Sequence, residues 1–257
     1  MKGSVYRLIL AILCLTAFGT IVSAETRSVA RIAFLHAKPG ANAKMEDAIR
    51  KQMESRREQK DDWRWLTWEY VSGEGGRYAV ATFGHAWQDY DQPKGSPRGE
   101  EGFQEALAGL SASPAVIQYF DHLEEISALG TAKEAPRMAE IAVFQVQFGK
   151  TAQFYEAVRQ FHHVLQQARS PERYEWFELL SGGEEPQFLL ILPRRDFAAF
   201  DEKRDLLFEA LEKSMGTEKS DELFARFTAV VKSCRRYAVR LRPDLSNVPT
   251  STAKENK

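Results

Sequence analysis

The chain has 257 residues, enough for one large domain or two small ones with a sizeable core. Its 35 basic and 36 acidic residues leave a formal charge of −1, so the chain lacks the basic excess that nucleic-acid binding needs. With 44% hydrophobic and 28% charged residues it has the composition of a globular protein.

The first segment differs from the rest. Lys2 and Arg7 precede an apolar run from Leu8 to Phe18, and Val22 and Ala24 supply small residues at −3 and −1 of a cleavage point after Ala24. This is the layout of a secretory signal over residues 1–24, and its apolar run is short against the roughly 20 residues that span a bilayer. The expected product is exported, periplasmic or secreted, with no membrane attachment after cleavage; an uncleaved anchor is the alternative. Cleavage removes Cys14 and leaves Cys234 as the one thiol, so no internal disulfide forms and stability must come from burial. Cys234 itself reads as a small core residue.

A short tether at 25–29 leads into Ala30 to Lys38, whose alternation predicts a strand ended by Pro39-Gly40. Asn42 is a plausible cap for a helix from Ala43 to about Lys60, with Met45, Ala48, Ile49 and Met53 at helical spacing. Trp63 to Val71 and Arg77 to Phe83 predict a hairpin around Ser72-Gly73-Glu74-Gly75-Gly76. Asp91 to Gly102 is a loop, Phe103 to Leu110 a helix, Pro114 to Phe120 a second short helix, and Asp121 to Leu129 a closing strand. A linker at 130–137 follows.

The order then repeats. Ala139 to Phe148 is a strand, and Thr151 to Gln167 is a helix with Thr151 as its cap. Arg173 to Leu180 and Gln187 to Leu192 form a hairpin. Asp196 to Ser214 and Ser220 to Val231 are helices, and Arg235 to Arg242 is a final strand stopped by Pro243. The polar segment 244–257 reads as a disordered tail.

Gly40 and Gly149 lie 109 positions apart, and the same offset pairs Ile32 with Ile141, Met45 with Phe154, Ala48 with Ala157, Ile49 with Val158, Arg50 with Arg159 and Ser72-Gly73 with Ser181-Gly182. Each half, 25–130 and 131–243, therefore reads β-α-β-β-α-β, the ferredoxin-like split arrangement of the α+β class. Such a unit carries its helices on one sheet face, and the open face must be covered. Two copies can cover each other, sheet to sheet, as a barrel with helices outside.

The strand–Gly–helix unit and the hairpin Trp68-Glu69-Tyr70-Val71 with Val80-Ala81-Thr82-Phe83, leading to Trp87, resemble the dimeric α/β-barrel superfamily over about residues 29–243. Within it the tandem is similar to the antibiotic-biosynthesis-monooxygenase-like proteins. The resemblance implies a monomer with an internal pseudo-dimer, or a homodimer. It also implies a range of chemistries: cofactor-free monooxygenases, haem degraders, haem peroxidase-like enzymes, isomerases and proteins of no known chemistry.

Alternation groups Ile32, Phe34 and His36, and in the copy Ile141, Val143 and Gln145. It also groups Trp65, Thr67 and Glu69, matched by Tyr174, Trp176 and Glu178. Pointing between the sheets, these would line a pocket with Trp65, Thr67, Gln145, Tyr174 and Trp176 as ligand contacts and Glu69, Glu178 or His36 as a base. Polar residues near strand ends are otherwise solvated or paired. His162 and His163 are neighbours on a helix, too divergent to share one metal, and no ligand spacing supports a metal site. Haem-binding relatives use a helix His, which makes one of the two a haem-ligand candidate. His85 and His122 stand alone. The expected function is small-molecule binding with no cofactor required. The alternatives are cofactor-independent monooxygenation of an aromatic or quinone-like compound, a haem enzyme of the same fold, or a filled barrel with a structural role.

Overall fold

The computed structural model describes residues 28–91, 101–129, 136–201 and 206–249. The segment 1–24 expected to be a signal, most of the loop expected after Asp91 and most of the expected linker lie outside them. Among the described residues there are eight strands: β1 (Val29–His36), β2 (Leu66–Tyr70), β3 (Arg77–His85), β4 (Val116–His122), β5 (Met138–Val146), β6 (Glu175–Ser181), β7 (Gln187–Arg194) and β8 (Val231–Leu241). Five α-helices accompany them: α1 (Asn42–Glu58), α2 (Glu101–Ala108), α3 (Thr151–Gln167), α4 (Leu206–Met215) and α5 (Thr217–Val230).

The strands form one closed antiparallel barrel in the order β1-β3-β2-β8-β5-β7-β6-β4. Closure by a single chain removes every free strand edge. The order β4-β1-β3-β2 among residues 116–122 and 29–85 recurs as β8-β5-β7-β6 in residues 138–241. Two seams join these groups: β2 meets β8 through Trp68↔Leu241 and Tyr70↔Val239, and β4 meets β6 through Phe120↔Leu179 and His122↔Phe177.

Burial explains why both strand faces are apolar. Ala30, Ile32, Ala79, Ala81, Phe120, Ala139, Phe177, Leu189 and Val239 cluster inside the barrel. The alternate residues face outward beneath helices. Ala33, Leu35, Trp65, Tyr78 and Val80 meet Met45, Ile49 and Met53 of α1. Ala142, Phe144, Trp176 and Phe188 meet Phe154 and Val158 of α3. The Phe154 and Phe188 rings stack at 4.5 Å, and each such fully buried side chain stabilises by about 1.5–3 kcal/mol. Gly40 and Gly149 turn the chain from strand to helix at φ of +78° and +77°, a region that side chains other than glycine resist. Both helices start without side-chain caps: Ala41 and Lys150 stand at the N-cap positions for which Asn42 and Thr151 were expected, and those two are already helical. No described helix is long and apolar enough to cross a membrane.

Three expectations need correction. Residues 116–122 form a strand, where a helix over 114–120 and a strand over 121–129 were expected. The β-branched and aromatic run Val116-Ile117-Gln118-Tyr119-Phe120 pairs along β1, and that tertiary pairing decides the conformation. Cys234 lies within β8 and is exposed, because the start of that strand has no helix over its outer face. The tail is ordered at least to Asn247: Leu245 is fully buried, and Asn247 exchanges backbone hydrogen bonds with Trp65 at 2.8 Å each way.

That last contact has a counterpart. After β4 the chain crosses to the other group, where Ala128 and Tyr174 exchange backbone hydrogen bonds of 2.8 and 2.9 Å and Leu123 N–H donates to the Trp176 carbonyl. Each four-strand group is thus completed by the segment that leaves its partner. Arg242 strengthens the C-terminal crossing with a two-pronged pair to Glu46, both contacts 2.9 Å, which holds the Glu46 carboxyl below its usual range.

Candidate functional site

The barrel is hollow. A cavity of about 690 Å³ runs between its walls. Its middle is apolar, lined by residues such as Ile32, Phe34, Ala81, Ile141, Leu189 and Val239, with Trp68 and Phe83 adding aromatic surface. This is the size and character of a small-molecule site.

Polar groups gather at its two ends. The β2–β3 and β6–β7 turns share one end, since β3 begins opposite the close of β1 and Tyr119 of β4 faces Ser181. At this hairpin end Tyr70, Arg77, Gln118, Gln187, Arg235 and Tyr237 line the cavity. At the opposite end stand Arg64, Arg173 and Glu175.

Glu175 is the one carboxylate among the described lining residues. It is the first residue of β6, and alternation turns it inward with Phe177. Burial raises its carboxyl above the usual glutamate range, opposed by His122 and Arg173. His122 ends β4 across the seam, stacked on the Phe177 ring at 4.8 Å. Its Nε2 is buried without a hydrogen-bond partner, 3.7 Å from Glu175 Oε2, and its Nδ1 lies 3.8 Å from Glu124 Oε1. The Glu124 side chain is 76% exposed and that of His122 12%. The imidazole therefore stands between a carboxyl at the cavity and one in solvent. Such an arrangement can take up a proton from a ligand and pass it outward.

The expected contacts lie elsewhere. In β2 the inward residues are Leu66, Trp68 and Tyr70, and in β6 Glu175, Phe177 and Leu179, so the expected face of both strands is inverted. Trp65 is buried outward, its Nε1 donating to Asp61 at 3.0 Å under the Arg56 guanidinium. Thr67 donates its hydroxyl to the Leu245 carbonyl. Glu69 pairs with Arg240 at 2.9 Å and Arg242 at 3.3 Å. Tyr174 and Trp176 pack outward beneath α3, and Glu178 accepts the Tyr155 hydroxyl at 2.9 Å. Gln145 shares its strand face with Ile141 and Val143, but its amide donates to the Glu184 and Pro186 carbonyls. His36 ends β1 in register with Arg77, outside the cavity lining. The reason for the inversion is physical: helices outside and a cavity inside make both faces of these strands apolar, so alternation alone cannot orient them. Tyr174-Glu175-Trp176-Phe177-Glu178 carries aromatics and an acid on each face, which left Glu175 without a distinguishing signal.

The two haem-ligand candidates, His162 and His163, lie on α3. His162 Nδ1 is 3.0 Å from the Tyr174 hydroxyl, and burial lowers the imidazole's proton affinity. His163 is exposed. The space between α3 and the sheet is filled by Phe144, Phe154, Trp176, Phe188 and Phe227, with ring centroids 4.5–5.9 Å apart. No described cluster of three or more His, Cys, Asp and Glu could hold a metal ion.

Comparison with known proteins bears on the fold. No family model and no curated protein sequence matches the chain. Solved structures do. An anthrone oxidase-like protein superposes with a TM-score of 0.57 at 13% identity, covering 86% of this chain and 94% of its own. The fold is that of the ferredoxin-like α/β barrels. A provisionally named monooxygenase from Lactobacillus acidophilus NCFM gives 0.53 at 11% identity, covering 86% and 96%. Chlorite dismutase from Candidatus Nitrospira defluvii, in complex with imidazole, gives 0.52 at 8%, covering 86% and 93%. At these identities the likeness concerns the fold alone.

Proposed function

We propose that the barrel binds a flat aromatic or quinone-like small molecule and oxidises it with molecular oxygen, without a resident cofactor. The observation that carries this reading is Glu175, the carboxyl with raised proton affinity at the end of an aromatic-walled cavity, backed by His122. The anthrone oxidase-like and monooxygenase structures of the same fold support the class of reaction. In such a step Glu175 accepts a proton from a methylene activated by neighbouring rings. The resulting carbanion gives its electrons to oxygen; the methylene becomes a carbonyl, and the second oxygen atom leaves as water. His122 and Glu124 hold the abstracted proton and return it through Glu175 to the departing oxygen, which with the second methylene hydrogen makes the water. We further read the two strand groups as tandem copies, on their shared strand order and the 109-residue offset, and the chain as exported, on its first 24 residues.

The test has two stages. Native mass spectrometry of protein from its own host should reveal a co-purifying aromatic compound. With anthrone as a probe, oxygen uptake should exceed the uncatalysed rate and fall at least roughly a hundredfold in Glu175→Gln, the scale of a positioned general base. Uptake unaffected by that substitution would remove Glu175 from the chemistry. A chain that binds no aromatic probe would end the whole reading.

A further inference from the structure

We propose that the hairpin end of the cavity is an anion subsite, so that the ligand is an aromatic compound bearing a carboxylate, sulfonate or similar acidic group. This rests on the binding reading above and narrows it.

Arg77 and Arg235 both line this end, one from each strand group. The Arg77 guanidinium lies 4.8 Å from the Tyr70 ring and 5.3 Å from the Tyr237 ring, and those rings meet edge to face at 5.2 Å. The tyrosines hold the cation in place by cation–π attraction without neutralising it. Burial pushes the Tyr70 hydroxyl up to about 12, and the charges of both Arg77 and Arg235 act against that rise. Gln118 and Gln187 stand at the same end with amides able to complete a donor set.

Among the described lining residues no carboxylate stands at this end, Glu175 being at the opposite one. Glu184, on the β6–β7 turn, is engaged by Lys232 at 2.9 Å and also feels the charge of Arg235 from outside the lining. Glu140 is outside the barrel, 3.7 Å from Arg236. At the opposite end Glu175 offsets one of the two charges of Arg64 and Arg173, whereas no described lining carboxylate offsets Arg77 and Arg235. The cavity is therefore polarised along its length: cationic at the hairpin end, with a proton acceptor at the other. An acidic group between Arg77 and Arg235 would direct the far end of an aromatic skeleton towards Glu175.

Two fluorescent probes isolate the charge. 8-Anilinonaphthalene-1-sulfonate and N-phenyl-1-naphthylamine share the same rings, and only the first carries an anion. Titrated against the folded chain without its first 24 residues, the sulfonate should bind about tenfold more tightly, and added salt should erase the difference. The Arg77→Gln, Arg235→Gln pair should weaken the sulfonate about tenfold and leave the neutral probe within about twofold. Ala81→Trp, which fills the cavity, should abolish both signals and so locate them. Equal affinities for the two probes in the parent chain, or a sulfonate affinity unmoved by the double substitution, would overturn the subsite while leaving the binding reading intact. Failure of both probes to bind would overturn both. If the double variant does not fold, the salt titration of the parent chain decides.

Discussion

Asp61 offers a quantitative check on the first strand group. Its side chain is 5% exposed and that of Arg56 8%, with Nη1 to Oδ2 at 2.8 Å. The same carboxylate accepts the Trp63 backbone N–H at 2.9 Å and the Trp65 Nε1–H at 3.0 Å, while the Arg56 guanidinium lies 3.8 Å over the Trp65 ring. Asp61→Ala deletes the acceptor of three hydrogen bonds and leaves Arg56 buried beside an emptied site. Breaking a buried pair in this way costs about 3–5 kcal/mol, a large part of the 5–15 kcal/mol by which domains are stable. Urea unfolding followed by tryptophan fluorescence measures it, through a lowered midpoint at unchanged slope. Removing both charges with Arg56→Met and Asp61→Leu should cost less than Asp61→Ala alone, because the buried guanidinium goes together with its carboxylate. A loss below about 1 kcal/mol in Asp61→Ala would refute the reasoning, since only a solvated pair is worth so little.

Glu175→Gln should stabilise the protein at neutral pH: a carboxyl whose folded proton affinity is raised weakens the fold as pH climbs past the unfolded value of about 4.3. The gain should vanish in acid, as thermal melts across pH would register. Phe154→Ala should cost about 3–5 kcal/mol, measured by chemical unfolding, because its ring is enclosed by Phe144, Trp176, Phe188 and Phe227. Haemin added to the protein should give no absorption band that His162→Ala with His163→Ala removes. Cys234 should react with a thiol reagent in the native state, without a lag for unfolding, as its exposure requires.

Part of the architecture could be read from the residues, because turns and helix stripes are legible without knowing which way a strand's side chains point. Gly40 and Gly149 marked the strand-to-helix turns, and Met45, Ile49, Phe154 and Val158 marked the buried helix stripes. The inside of the barrel was harder. In Trp65-Leu66-Thr67-Trp68-Glu69-Tyr70 both faces are aromatic and buried, so period two identified a strand but not its orientation. Glu69 and Glu178 drew attention as acids on apolar strands, yet partners distant in sequence claim them: Arg240 and Arg242 for the first, Tyr155 for the second. Arg77 and Arg235 sit 158 positions apart, and only barrel closure brings them to one end. His122 has Glu124 two residues on, but Glu175, the partner at the cavity, arrives only across the β4–β6 seam.

The crossed segments at 123–128 and 242–247 have a consequence for dissection. A fragment stopping near residue 129 would keep an arm with nothing to grip and would lack the one that shields Trp65. Neither fragment should behave as a free-standing module, however well the linker marks a boundary. Co-expressed, the two pieces should find each other and restore the ring, much as a clasp needs both its hooks.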